Sequence, residues 1–497
     1  MQLSWPDYLV IGGYLAAITA FGSWFARFQN TTRDYFLTDR SVPWWAVCFT
    51  IVATETSTLT FIGIPAAAYA GNMTFLQLAL GYVIGRVIVS LLFIPAYFRG
   101  DLFTSYELLQ RRFGTRVTTL SAGIFLITRS LADGIRLFAT ALVIAVVTGV
   151  PVPWVVVVLG AAMIVYTVRG GVSAVIWTDV VQMFVYIAGA AAIAASLLVR
   201  IPGGWPAVVD AGRAAGKFVF LDLSVDWSRP YTLWAGILGG IALTLATHGT
   251  DQFLVQRLLS ARSAREAARG LVLSGFIVFA QFIVFLLIGV MLFVYYQQTP
   301  LPQPLSRNDE ILPLFVVSSL THGLAGFIVA AIVAAALSPS LNAMAATTVN
   351  DFYLRYVRPD ADQPTQMRVS RQATIGWGVV QLAVALGAQW MDRSVLDAGL
   401  AVLSFASGAV LGAFLLGTLM PQVGERQAFI GMLVGLATMT IVWGWTTIAF
   451  TWYVFIGAAT TCAVAAVLSR PFGGARGRRE RVEERLTTGA GAGDMPA

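Results

Sequence analysis

Apolar residues in this chain fall into long unbroken runs, not into the amphipathic stripes of a water-soluble protein. The runs recur from end to end, each of about 17 residues or more and so long enough to cross a ~30 Å hydrocarbon layer as a helix. About thirteen spans are predicted, near 7–27, 43–70, 74–98, 118–149, 151–168, 172–199, 231–256, 267–297, 323–350, 370–390, 396–419, 427–446 and 449–468. One run breaks the pattern. Residues 43–63, PWWAVCFTIVATETSTLTFIG, enter as a hydrophobic helix and then turn polar at Thr54, Glu55, Thr56, Ser57, Thr58 and Thr60. A carboxylate at the bilayer centre costs at least about 2.5 kcal/mol, so such a residue faces a cavity or a partner and marks a solute path. The stretch therefore predicts a ligand-binding helix of a transporter.

Segment 231–256 mirrors it. Gly239 and Gly240 lie mid-span, followed by Thr244, Thr247, His248, Gly249, Thr250 and Asp251. Glycines and hydroxyls at that depth predict an unwound helix whose free backbone groups line a cavity. His248 reads either as a proton-carrying group or as a hydrogen-bonded packing residue.

Composition agrees with the pattern: 497 residues, 57% hydrophobic and 11% charged, with mean hydropathy +0.75. The fold class is an all-α polytopic membrane protein. Alternate loops carry the arginines, at Arg27/Arg33/Arg40, Arg99/Arg111/Arg112/Arg116, Arg257/Arg262/Arg265/Arg269, Arg355/Arg358/Arg368/Arg371 and Arg476/Arg478/Arg479/Arg481. The positive-inside rule makes these faces cytoplasmic, with the N-terminus outside and the C-terminus inside a plasma (inner) membrane. The net charge of +7 thus reflects contact with inner-leaflet lipid and leaves no nucleic-acid footprint.

MQLSWPDY has no Lys or Arg ahead of the first run, which is therefore expected to stay as a helix and not to be a signal peptide. Cys48 and Cys462 imply no disulfide framework. Residues 99–117 predict an amphipathic inner-surface helix. Residues 200–230 form a long outer loop holding Lys217, the only lysine, and 298–322 a second outer segment with an apolar piece too short to span. From residue 471 no apolar period remains, so a disordered tail is expected after a single transmembrane domain, 1–470.

Few charged residues fall inside spans. Arg129, Asp133 and Arg136 share one helix face at spacings of four and three. They read either as an internal clamp or as a grip on a substrate anion. In both readings one positive charge is surplus, with Glu55 or the substrate as its counter-charge. Asp179 reads as a dipole-stabilised residue near a helix start or as a functional carboxylate. Arg86 either snorkels to the surface or pairs with an acid. The two histidines lie in different spans with no metal-ligand cluster, which argues against an enzyme.

Five stretches together resemble the sodium/solute symporter family: DYFLTDRSVPWW before the first polar helix, FIGIPAAAYAG after it, GGVSAVIWTDVVQ around Asp179, DQFLVQRLLSARSAREAARG from Asp251, and LNAMAATTVNDFY from Leu341. They follow the family's order over nearly the whole length. The resemblance implies the leucine-transporter architecture, two inverted five-helix repeats at about 43–199 and 231–419. It implies substrate among Glu55, Ser57, Thr60, Gln77, Arg129, Asp133, Arg136, Thr247, His248 and Ser404. It also implies sodium held by the carbonyls of Ala53 and Thr56 with Ile332, Ala335 and Ala336; Asp179 is expected, from the residues alone, to add charge there. The last two family positions are usually hydroxylated, and here both are alanine. Pro339 lacks an N–H and so is expected to free the carbonyl of Ala335 in place of a hydroxyl.

The expected function is sodium-driven symport of a small organic solute, an organic anion such as a carboxylate, with no cofactor beyond the coupling ion. The alternatives are a proton-coupled symporter or uniporter of the same fold, and a sensor that binds solute without moving it.

Overall fold

The computed structural model describes residues 3–24, 38–99, 102–336, 340–391 and 395–469, without the side chains of Asp39, Tyr166, Arg169, Ala335 and Ala336. The principal helices are α1 (Trp5–Trp24), α2 (Trp44–Glu55), α3 (Thr58–Ala70), α4 (Leu76–Leu92), α5 (Thr115–Thr148), α6 (Val152–Arg200), α7 (Leu233–Gly249), α8 (Gln252–Leu259), α9 (Ala264–Gln298), α10 (Leu324–Ala336), α11 (Leu341–Thr347), α12 (Gln363–Ala388), α13 (Val395–Leu419), α14 (Glu425–Trp445) and α15 (Tyr453–Ser469). Among the described residues six helices are long and apolar enough to cross a membrane alone, or eight spans with two bent pairs each counted as one. Shorter apolar helices lie at Leu76–Leu92, Val152–Val165 and Leu324–Ala334.

The two bent pairs organise the fold. Helices α2 and α3 meet at 59°, and α7 and α8 at 61°. The first break falls at Thr56-Ser57, where Ser57 N–H donates to Glu55 O at 2.9 Å and so does not reach Ala53 O. Thr56 sits there at φ −80°, ψ 74°. The second break falls at Thr250-Asp251, with Asp251 capping α8 through Phe253 N–H at 2.9 Å.

Gly239 and Gly240 do not unwind α7, contrary to the expectation from sequence; both lie within its regular helix. Their role is close packing. A Cβ on Gly240 would stand 2.5 Å from Leu78 O of α4, and one on Gly239 2.4 Å from Thr451 O. Small residues at such crossings let helix backbones approach where lipid offers no hydrophobic drive. The loop expected near Arg169-Gly170 is likewise helical backbone inside α6.

Short helices form where the charged segments predict surface elements. Tyr106–Arg112 lies in the 99–117 stretch, Gly204–Ala214 in the outer loop, and Ile311–Ser319 in the second outer segment. Lys217 from the outer loop reaches the end of α3. Its Nζ donates to Tyr69 O at 2.6 Å, Gly71 O at 2.8 Å and Ala68 O at 3.4 Å, and lies 4.1 Å from the Phe293 ring centre. A cation there meets both the orphan carbonyls and the negative end of the helix dipole. Burial pushes this ammonium below its ordinary pKa. Residues 471–497 and Pro339 lie outside the described residues.

Candidate functional site

A cavity of about 120 Å³ opens between the two helix breaks. Its polar lining comes from Thr54, Glu55, Ser57, Thr60, Arg129, Arg136, Thr244, Thr247 and His248. The rest is apolar, with Phe75, Tyr82, Phe253 and Phe282 as its aromatic walls. A second cavity of about 280 Å³, lined by Asn72, Tyr231, Asn308, Asp309 and Asp397 on the outer-loop side, shares Phe75 and Leu396 with the first. These two side chains stand between vestibule and inner cavity.

Acids at the breaks meet arginines from neighbouring helices. Glu55, the last residue of α2, pairs with Arg86 of α4, whose side chain is fully buried. Arg86 therefore does not snorkel to the surface. His248 completes this corner, with Nε2 3.4 Å from Arg86 Nη2 and Nδ1 2.9 Å from Thr247 Oγ1. The Thr247 hydroxyl donates to Leu243 O at 2.9 Å. It thus accepts from His248 Nδ1–H, and Nε2 is left to accept from Arg86: a neutral, packed imidazole.

At the second break Asp251 pairs with Arg129 of α5. Arg129 also lies 3.7 Å from Asp133, which accepts a hydrogen bond from Ser340. The surplus charge expected on this face thus faces Asp251, while Glu55 is engaged by Arg86. Arg136 differs. Its nearest carboxylate oxygen is on Asp133 at 4.0 Å, its Nε and Nη1 make no hydrogen bond among the described residues, and it lines the cavity.

Asp179 is fully buried. It accepts from Thr50 Oγ1 at 2.6 Å and from Arg257 Nη2 at 3.1 Å, with Thr54 Oγ1 at 3.4 Å. Arg257 belongs with the cytoplasmic arginines by sequence position, yet its side chain is 3% exposed. Near the first break Thr58 Oγ1 donates to Ile332 O at 3.1 Å, and Thr140 Oγ1 lies 2.9 Å from Thr58 Oγ1. The carbonyl of Ile332 on α10 is therefore beside the α2–α3 break, where Ala53 and Thr56 also lie.

Of the residues expected around substrate, Glu55, Ser57, Thr60, Arg129, Arg136, Thr247 and His248 line the cavity. Gln77, Asp133 and Ser404 do not. Gln77 clamps the outer loop, donating to Tyr231 O at 2.8 Å and accepting from Asp222 N–H at 3.2 Å. Asp133 stands behind the arginines, and Ser404 bonds back to Leu400 O at 2.7 Å within α13. The sequence reading missed Arg257, Thr58, Thr140 and the aromatic walls as site residues. Asp251 carried a signal, since it holds in the second break the place Glu55 holds in the first.

Two bent helix pairs whose breaks meet at a cavity, with acids at the breaks, fit the class of secondary transporters. The model of the sodium:solute symporter family matches residues 35–435, and the chain belongs to that family. The sodium/sialic acid symporter SiaT of Proteus mirabilis is 30% identical over 477 residues, 94% of this chain and 95% of that protein. The human sodium-coupled monocarboxylate transporter 1 is 28% identical, over 87% of this chain and 72% of that protein. A substrate-bound outward-open structure of a Na+-coupled sialic acid symporter superposes with a TM-score of 0.88 at 28% identity, covering 95% of this chain and 98% of that one. Mhp1, a nucleobase-cation-symport-1 family transporter, shares the fold alone, with a TM-score of 0.57 at 14% identity over 90% and 98% of the two chains. The protein is a sodium-coupled secondary active transporter of a small organic solute, with sodium as the coupling ion, and not an enzyme.

Proposed function

We propose that the solute is a small monocarboxylate, gripped by Arg136 with its body against the aromatic and leucine walls. The carrying observation is that Arg136 faces the cavity with two nitrogens free of hydrogen-bond partners among the described residues. A guanidinium binds a carboxylate through paired charge-assisted hydrogen bonds. Size supports the reading: a dry cavity of about 150 Å³ holds benzene, so 120 Å³ suits a short acid better than a large sugar acid. Charge supports it as well. The arginines at 86, 129, 136 and 257 face the carboxylates at 55, 133, 179 and 251. One sodium unbalances that core, and one monoanion restores it.

Sodium sits between the α2–α3 break and α10, on the carbonyls of Ala53, Thr56 and Ile332 with backbone oxygen from Ala335 and Ala336. Asp179 holds the break from beneath through Thr50 and Arg257. Sodium stabilises the outward-facing conformer and orders the broken helix, and the solute then permits closure; linkage makes the coupling reciprocal. In this reading the spans are arranged as two inverted repeats in a plasma (inner) membrane, with the N-terminus outside and the C-terminus cytoplasmic. The test is uptake of short radiolabelled monocarboxylates into proteoliposomes, in sodium chloride or choline chloride. Sodium-dependent uptake lost in Arg136→Gln supports the proposal, and carboxylate uptake indifferent to that change overturns it.

A further inference from the structure

Helix α1 lies outside both repeats, and nothing above gives it work. Its first turn nevertheless carries a fully buried carboxylate, Asp7. One oxygen accepts Gly323 N–H at 2.6 Å and Gly326 N–H at 2.8 Å. The other accepts Ser4 N–H at 2.9 Å and Ser4 Oγ at 2.7 Å, with His322 Nδ1 at 3.3 Å. Gly323 and Gly326 bracket the first turn of α10, whose leading N–H groups have no partner within that helix. The cap of α10 is thus supplied by another helix, with a charge matched to the positive end of the α10 dipole.

The fit is tight and specific. Gly323 stands at φ +84°, a left-handed conformation that favours glycine. A Cβ on Gly326 would lie 2.5 Å from Asp7 Cα, so only glycine lets α1 come this close. Ile332 follows six residues after Gly326, about 9 Å down the same axis at 1.5 Å per residue. A rigid helix pinned at its outer end carries that carbonyl at a fixed height and rotation relative to the first break.

We propose that Asp7 is a positioning residue for sodium: by capping α10 from α1 it sets where the Ile332 carbonyl meets the α2–α3 break. The inference rests on the reading of Ile332 as a sodium ligand. It gives the helix outside the repeats a part in ion binding.

The experiment titrates sodium chloride against choline chloride at constant ionic strength and follows the melting temperature of the purified full chain. The variants are Asp7→Ala, which removes the cap, and Gly326→Ala, which keeps Asp7 but forces α1 away. Both are expected to raise the half-maximal sodium concentration roughly three- to tenfold. Asp7→Asn, which keeps an accepting oxygen but loses the charge, falls between them and the natural protein, and carries the test if Asp7→Ala does not fold. A lower melting temperature in both salts at an unchanged sodium midpoint overturns the proposal, because a merely structural cap behaves that way. If the natural protein shows no sodium-specific stabilisation, the sodium reading itself fails and this inference with it.

Discussion

Arg129 and Arg136 lie seven residues apart on one helix, yet their surroundings assign them opposite roles. Arg129 bridges Asp251 and Asp133 and is 3% exposed. Taking one member from a buried charge network leaves the others uncompensated, typically at about 3–5 kcal/mol. Arg129→Gln is therefore expected to lower stability by about that amount, and the Arg129→Gln/Asp251→Asn double variant to recover a large part of it. Arg136 has its nearest carboxylate at 4.0 Å and little else to lose. Arg136→Gln should cost about 1 kcal/mol of stability. It should instead remove charge-assisted hydrogen bonds to the solute, about 1.5–3 kcal/mol, or roughly ten- to a hundredfold in half-saturating carboxylate. The assay pairs melting in detergent with sodium-driven uptake. An Arg129→Gln protein as stable as the natural one, or an Arg136→Gln protein with an unchanged half-saturation, refutes this division of roles.

Asp179→Asn should destabilise by about 3 kcal/mol by removing the buried counter-charge beside Arg257, with Asp179→Asn/Arg257→Gln milder than either single change, as read by melting. Asp351, beyond the end of the 323–350 run, accepts from Thr104 Oγ1 at 3.3 Å. Burial first, and then the Glu107 charge, push its carboxyl up from 3.8 to about 7. Between those values the folded chain holds a proton that the unfolded chain has released, so stability falls as pH rises through the window. Melting curves at about pH 5 and pH 8 should show that fall shrink in Asp351→Asn, and an identical pH dependence in both proteins contradicts it. Gly240→Ala should destabilise by about 1–3 kcal/mol by forcing α7 off α4. Gly123→Ala, with nothing within 4 Å of its added Cβ inside a helix, should instead gain up to about 1 kcal/mol.

The membrane class and the first broken helix could be read from hydrophobic run length and from the polar cluster at 54–60, because desolvation cost acts on each residue locally. The second break was legible only as a region. Gly239-Gly240 carries the same composition whether a helix unwinds or merely packs closely, and only the neighbouring Leu78 and Thr451 decide between the two. Charge pairing was the least legible layer. Glu55 with Arg86, and Asp179 with Arg257, join residues 31 and 78 positions apart, and nothing in local spacing selects those partners over the Arg129–Asp133–Arg136 triplet. Arginines near span ends misled for a related reason: the rule that places them in cytoplasmic loops is statistical, and Arg257 is drawn inward by one specific acid.

Because Lys217 is the chain's only lysine, its contact with the end of α3 is also the only place where a side-chain amine can be chemically modified. Dimethylation keeps the positive charge while reducing the number of donors, whereas acetylation erases the charge. A reagent added from the vestibule side therefore labels, besides the chain's α-amine, one known side-chain atom. Its rate measures how often the outer half of the first broken helix lets go of its anchor. A mass shift at a single peptide would then follow the transport cycle without any probe being engineered into the protein.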